Sequence, residues 1–269
     1  MPQCWTVTGR GRVDWSARQY VKFEDERTRP ARDLIAAVPT REPRRVVDLG
    51  CGPGNTTELL LATFPRAEIV GIDSSPDMIT NARARLRSIS FEVADLTTWR
   101  PDPAAPVDII YSNAVFQWIA GHETILPRLL GLLPEGGSLA IQMPDNLEEP
   151  SHRAMREVAR SGPWSARLAA AEGRRTPIGS PAAYYALLKP HAARVDIWRT
   201  VYNHPLEGLD GIVEWFKGSG LRPYLNLLDP AEQGAYLDAY RAAIAPHYPP
   251  APDGKVLLAF PRLFIVATR

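Results

Sequence analysis

The stretch Val46-Val47-Asp48-Leu49-Gly50-Cys51-Gly52-Pro53-Gly54-Asn55 decides the fold. Two β-branched residues lead into an acid, three glycines follow within five positions, and a helical pattern begins at Asn55. That order predicts a strand, a tight turn and a helix start. Gly50 and Gly52 have no Cβ, so the backbone can turn sharply and bring bare N–H groups close to a ligand. The helix starting near Asn55 aims the positive end of its dipole at the same place. Together these features predict a nucleotide-type pocket at the carboxyl end of a buried strand.

The stretches on the C-terminal side repeat the pattern. Ala67 to Asp73 reads as a strand whose last residue is an acid, twenty-three positions after Gly50. An acid at about that spacing accepts hydrogen bonds from ribose hydroxyls. Ser90 to Ala94 is followed by Asp95, and Val107 to Tyr111 by Ser112-Asn113. Four successive strands that finish in polar residues suit a ligand laid across the strand ends. The spacing is Asp-x-Gly-x-Gly rather than Gly-x-Gly-x-x-Gly, the longer pattern that serves a pyrophosphate on a helix N-terminus. The ligand therefore reads as a nucleoside without phosphates, and a nicotinamide-dependent oxidoreductase is disfavoured.

Asp48 to Gly54, then Gly71-Ile72-Asp73-Ser74-Ser75-Pro76-Asp77-Met78, then Ala94-Asp95 resemble the class I S-adenosylmethionine-dependent methyltransferases. Phe116-Gln117-Trp118, Gln142 to Asn146, Val195 to Thr200, Gly220 to Tyr224 and Leu258 to Val266 narrow the resemblance to the trans-aconitate 2-methyltransferase family, from about Tyr20 to the C-terminus. The resemblance implies a Rossmann-like α/β fold, a seven-stranded mostly parallel sheet with an antiparallel last strand. It also implies S-adenosyl-L-methionine as cofactor, S-adenosyl-L-homocysteine as product, and a carboxylate of a small polycarboxylate as acceptor. Another small acid, a hydroxyl or an amine is the alternative acceptor, and a non-catalytic cofactor-binding module the alternative from another class.

Composition narrows the function classes. The 269 residues are 45% hydrophobic, enough for one large core or a core with a smaller lid. Lys+Arg 31 against Asp+Glu 30 leaves a formal charge of +1, so no polyanion surface is implied and nucleic acid is not a favoured partner. No apolar run approaches the roughly 20 residues that span a bilayer. The N-terminus lacks an apolar segment and a cleavage site of the export type. Cys4 and Cys51 are poorly placed for a disulfide, and a reducing cytoplasm fits. His122, His152, His191, His204 and His247 are scattered without metal-ligand spacing and read as surface or capping residues; no metal is expected.

Strands alternate with helical faces (Leu59, Leu60, Phe64; Met78, Ile79, Ala82, Leu86; Ile125, Leu126, Leu129, Leu130, Leu133) as far as Pro144, implying a parallel sheet covered on both sides. Residues 1–15 read as a loose tail. From Trp15 to Val38 two short helices are expected, with Pro30 in the first turn of the second. Residues 16–144, 191–202 and 255–269 form the expected cofactor-binding core. The helical segments 145–190 and 203–254 form the expected lid over the strand ends. In the second of these, Asp229-Pro230-Ala231-Glu232 is a capping box with Pro at N1. Pro261 interrupts the last strand, where a bulge or bend is expected.

Position then assigns roles by resemblance. Gly50, Gly52, Asn55 and Asp48 face the amino-acid part of the cofactor, with Asp48 on its ammonium group directly or through water. Asp73 holds the ribose with Ser74 beside it, Met78 packs on the adenine, and Asp95 with the Leu96 backbone accepts it at the amino edge. Asn113 and Gln117 stand where the methionine part ends. Tyr20 either touches the cofactor or packs its helix down. For Asp48 and Asp95 the other role is turn capping. A polycarboxylate needs cations, and the guanidinium fork matches a carboxylate. Arg222 and Arg262 are the first candidates and Arg199 a weaker one, with Trp118, Tyr202 and Tyr224 as walls. An ionised carboxylate needs no general base, and none is assigned.

Overall fold

The computed structural model describes residues 24–171, 175 and 177–269. Trp15, Tyr20 and Cys4, and the expected tail, lie outside them. Among the described residues seven strands form one sheet in the order β3-β2-β1-β4-β5-β7-β6. They are β1 Arg45–Leu49, β2 Glu68–Asp73, β3 Ser90–Val93, β4 Ile109–Asn113, β5 Ser138–Pro144, β6 Arg194–Leu206 and β7 Val256–Thr268. The first five run parallel, and β7 enters antiparallel between β5 and β6.

Helices cover both faces. On one, α1 (Glu24–Ala37) and α2 (Asn55–Thr63) bury Leu34, Ile35 and Leu60 against Val46, Ile109, Ala140 and Phe264. Of the two helices expected, the first falls largely outside the described residues; the second starts earlier than expected, so Pro30 lies inside α1 rather than in its first turn. The proline removes one intrahelical bond, and the buried Ala31, Leu34 and Ile35 of the next turn hold the helix by packing. α3 (Pro76–Arg85) packs Ile79 and Ala82 with Phe91 and Cys51. On the other face α4 (His122–Gly131) buries Ile125, Leu126, Leu129 and Leu130 beside Tyr184 and Leu188 of α5 (Pro181–Leu188).

β6 and β7 are 13 residues each, and their far halves overhang the sheet, because β5 ends where Pro144 pairs with Arg262. The expected bulge at Pro261 is absent: the register runs unbroken through Thr200–Arg262, Val201–Pro261 and Tyr202–Phe260. The physical reason is direction. Pro261 O accepts from Asp145 N at 2.9 Å, so its backbone polar groups face the β5 side, beyond the end of that strand, and the missing N–H removes no bond to β6. β6 runs to Leu206, past the core segment's expected end at 202.

A second core sits on this overhang. Leu206, Val256, Leu258 and Phe260 pack with α6 (Pro150–Ser161) through Met155 and Val158. They also pack with α7 (Gly208–Lys217) through Ile212, Trp215 and Phe216, and with α8 (Pro230–Ile244) through Tyr236 and Tyr240. The first part of the 145–190 insertion and the whole of the second therefore share one apolar cluster separate from the sheet cores. By contrast α5, expected in the lid, packs on the sheet. Asp229 caps α8 with a complete capping box. No helix among the described residues is long and apolar enough to cross a membrane.

Candidate active site

A cavity of about 680 Å³ lies between the carboxyl tips of the parallel strands and the helical insertions. Its floor is the glycine loop. Gly50 and Cys51 donate their N–H groups to Ile72 O at 2.7 and 3.0 Å, which straps the turn to β2. Gly50 has φ +77°, and a Cβ there would stand 2.3 Å from Val115 Cγ2. Only glycine satisfies both the left-handed backbone and the close approach. Gly52, at φ +54°, has nothing within 4 Å of where a Cβ would be: its open side is room beside a bare backbone.

Asp73 ties this loop to the next. Its Oδ2 accepts from Gly52 N at 3.0 Å and its Oδ1 from Ser75 N at 2.9 Å. A carboxylate offers about four acceptor sites, so two remain after these bonds. Ser74 and Met78 line the same wall, with Met78 in the first turn of α3, whose N-cap is Ser75. Asp95 and Leu96 line it after β3; Asp95 Oδ1 accepts from both Thr97 N and Thr97 Oγ1 at 2.8 Å, a turn cap that lies at the cavity edge.

At the tip of β4, Ala114 holds φ 58°, an uncommon conformation for a residue with a Cβ. Its carbonyl accepts from Gln117 Nε2 at 2.6 Å. Asn113 Oδ1 and Gln117 Oε1 are buried, both residues line the cavity, and neither oxygen has a hydrogen-bond partner among the described residues. Two orphaned acceptors suit a donor on a bound molecule, as the ammonium of an amino acid would be.

The opposite wall carries cations. Arg222 and Arg262 line it, as does Arg175. Arg262 is 5% exposed; its Nη1 donates to Gln142 Oε1 at 3.1 Å and its guanidinium lies 4.6 Å from the Phe260 ring centroid. Arg222 opens α9 (Arg222–Leu225), beside Gly220, whose Cβ would meet His152 Nε2 at 3.3 Å. Trp118, in the 3₁₀ turn after β4, is 44% exposed at the rim. The acids of the cavity wall, Asp73 and Asp95, thus stand on the strand tips and its arginines on the insertions and the β7 overhang.

A family model for the methyltransferase domain matches residues 47–139. The trans-aconitate 2-methyltransferase of Methylobacterium radiotolerans is 55% identical over 259 residues, 96% of this chain and 99% of that protein. That of Methylobacterium nodulans is 57% identical over 257 residues, 96% and 99% of the two chains. The chain belongs to the trans-aconitate 2-methyltransferase family. Solved structures agree on the fold. The Bacillus subtilis YcgJ protein superposes with TM-score 0.59 at 14% identity over 89% of this chain and 97% of its own. Geranyl diphosphate C-methyltransferase from Streptomyces coelicolor, solved with S-adenosyl-L-homocysteine, gives 0.54 at 14% over 96% and 85%.

Within this family member four expected site residues do not reach the cavity wall. Asp48 is buried and turned towards α2, where its Oδ2 accepts from Thr57 Oγ1 at 2.8 Å. Burial pushes its carboxyl up to about 7, with Thr57 lowering it and Asp73 adding repulsion. Tyr202 faces α1, donating to Asp33 Oδ2 at 2.6 Å. Tyr224 is stacked on Tyr236 in the second core. Arg199 points outward from β6 into an ion pair with Asp145 at 2.7 Å. Tyr20 lies outside the described residues.

The expected surface histidines also need correction. His122, His152 and His204 are buried. His122 hydrogen-bonds Phe116 O and the Tyr184 hydroxyl, anchoring the turn that carries Trp118. His204 stacks on Trp215 in the second core, and burial with Arg262 and Arg29 nearby lowers its imidazole to about 4. His152 lines the cavity edge-on to Phe216 at 4.9 Å, and burial, then Arg175 and Arg156, hold it well below the usual imidazole range. Sequence reasoning missed Arg175, Asn146, His152, Trp215, Phe216 and Phe260. The helical spacing of Ile212, Val213, Trp215 and Phe216 marks the α7 aromatics as buried, but nothing local to Arg175 or His152 announces a cavity.

Proposed function

We propose that this chain transfers a methyl group from S-adenosyl-L-methionine to a carboxylate of trans-aconitate, or of a close small polycarboxylate, giving the monomethyl ester and S-adenosyl-L-homocysteine. The observation that carries the reading is the polarity of this cavity, with acids on the strand tips and guanidinium groups opposite. The family's named reaction has those two ligands.

Asp73 takes the ribose hydroxyls with its remaining acceptor sites, Ser74 and Met78 flank the base, and Asp95 with the Leu96 backbone meets its edge. Gly50, Gly52 and Asn55 let the amino-acid part lie on the loop, and Asn113 and Gln117 accept from its ammonium. S-adenosyl-L-methionine supplies a methyl carbon already activated by its sulfonium. The residues therefore have no proton to move, because a carboxylate acceptor is ionised at neutral pH. Their work is alignment and exclusion of water. Arg222 and Arg262 orient the acceptor by its carboxylates, Trp118 walls the rim, and residues 145–190 and 203–254 act as the lid.

Incubation with methyl-labelled cofactor and a panel of di- and tricarboxylates tests the reading, trans-aconitate being the expected best acceptor. Arg222→Ala and Arg262→Ala are expected to raise acceptor KM by about 10- to 100-fold while S-adenosyl-L-homocysteine affinity stays nearly intact. Equal loss of cofactor affinity in both variants refutes their role.

A further inference from the structure

The strongest unexplained group on the cavity wall is Arg175. Its Nη1 donates to Asn146 Oδ1 at 2.8 Å and its Nη2 to Pro144 O at 3.3 Å, both neutral oxygens. Its guanidinium lies 5.8 Å from the Trp118 ring centroid. Its Nε is buried with no partner among the described residues. Asp145 and Tyr224 favour its charge from a distance, but Asp145 is already in an ion pair with Arg199. Arg156 adds a like charge, and burial followed by that repulsion lowers Arg175 to about 10. A cation kept from water is costly unless a counter-charge is supplied. Here two bonds and an aromatic face aim the group, while no carboxylate among the described residues forms an ion pair with it.

We propose that Arg175 is the specificity-determining residue that counts the acceptor's carboxylates, its charge completed only by a carboxylate other than the one that is methylated. This rests on the acceptor reading above and deepens it. Three guanidinium groups on one wall, Arg175, Arg222 and Arg262, match the three carboxylates of a tricarboxylate. A buried charged donor left unpaired by a ligand that lacks its partner rejects that ligand.

Three dicarboxylates each lack one carboxylate of trans-aconitate while keeping its alkene geometry: itaconate, cis-glutaconate and mesaconate. In the native chain each is expected to fall below trans-aconitate in kcat/KM. Arg175→Gln, which keeps a side-chain amide near Asn146 but removes the charge, lowers kcat/KM for trans-aconitate by about 10- to 100-fold, chiefly through KM. For one of the three analogues it changes little, so that one ratio collapses while the other two persist. Arg175→Lys restores the charge without the fork and recovers the lost discrimination part-way. A merely structural role would depress all four acceptors alike. All three native ratios surviving in Arg175→Gln overturns the proposal. If that variant fails to bind S-adenosyl-L-homocysteine, Asn146→Ala carries the comparison, since it removes the oxygen that aims the guanidinium, and ratios unchanged there also overturn it. A native chain that binds S-adenosyl-L-homocysteine but methylates none of the four acceptors defeats the acceptor reading itself, a result distinguishable before any variant is made.

Discussion

The two ends of the cavity are built in different ways. The strand-tip end comes from residues 50–118, and each of its parts is fixed by neighbours close in sequence: a glycine turn, an N-cap, an Asx turn, a 3₁₀ turn. The guanidinium end draws on residues 144–262 and stands on a second core that grows from the overhanging β6–β7 hairpin. One end is a backbone cradle that any ligand of the same shape would find. The other is a set of charges whose positions depend on long-range packing. The grip on the cofactor can therefore stay constant while acceptor choice changes with the insertions.

The largest effect expected from separating the two ends is in the second core. Phe216 is 1% exposed, stands edge-on to His152 and stacks on Phe260. Phe216→Ala is expected to cost about 3–5 kcal/mol in urea unfolding. It should abolish acceptor turnover while S-adenosyl-L-homocysteine affinity in the folded protein changes by no more than about twofold. A large loss of affinity would show that the two ends are one unit.

At the strand-tip end, Asp48 makes stability depend on pH. Its carboxyl is raised in the folded chain to about 7 from 3.8, so the unfolded chain ionises first. Stability is full below about pH 4 and is lost as pH rises towards 7, by on the order of 4 kcal/mol. Asp48→Asn keeps an acceptor for Thr57 and cannot ionise. Its advantage in melting temperature over the native chain should be near zero at pH 4, grow through pH 7 and then level off. A flat difference across that range would place the ionised carboxylate in the folded state.

Asp73→Ala removes the acceptor shared by Gly52 N and Ser75 N together with the proposed ribose contact. S-adenosyl-L-homocysteine is expected to bind at least about 100-fold more weakly by calorimetry. Binding within a few-fold of native would reduce Asp73 to a turn anchor.

The same division governs what could be read without coordinates. The alternation of strands and helices, the parallel core and the glycine loop are legible because the chemistry is local: short apolar runs that end in polar residues, and glycines where φ is positive. Asp48 was misread because an acid that ends a strand can turn up to a ligand or down to a helix, and Thr57, nine residues on, draws it down. Tyr224 and Tyr202 were misread because sequence does not say which face of a wall an aromatic takes; one is held by Tyr236 and the other by Asp33. Arg222 and Arg262 reach the wall as expected. Arg175 was passed over because its place depends on Asn146 and Pro144, about thirty residues away.

Trp118 offers the finest test of the difference, because it comes from the strand-tip end yet serves the other. It follows β4 directly, its turn is anchored by His122, and its ring lies under Arg175. It is 44% exposed, so the cation–π contact is of the solvent-facing kind, about 0.5–1 kcal/mol. Trp118→Ala should therefore raise acceptor KM by only about 2- to 5-fold, and leave the affinity for S-adenosyl-L-homocysteine unchanged. Combined with Arg175→Gln, the two losses should be less than additive, since the ring acts on the acceptor partly through the guanidinium that it carries. Full additivity would mean that Trp118 meets the acceptor by itself. A shift in cofactor affinity instead would assign the ring to the strand-tip end from which its backbone comes.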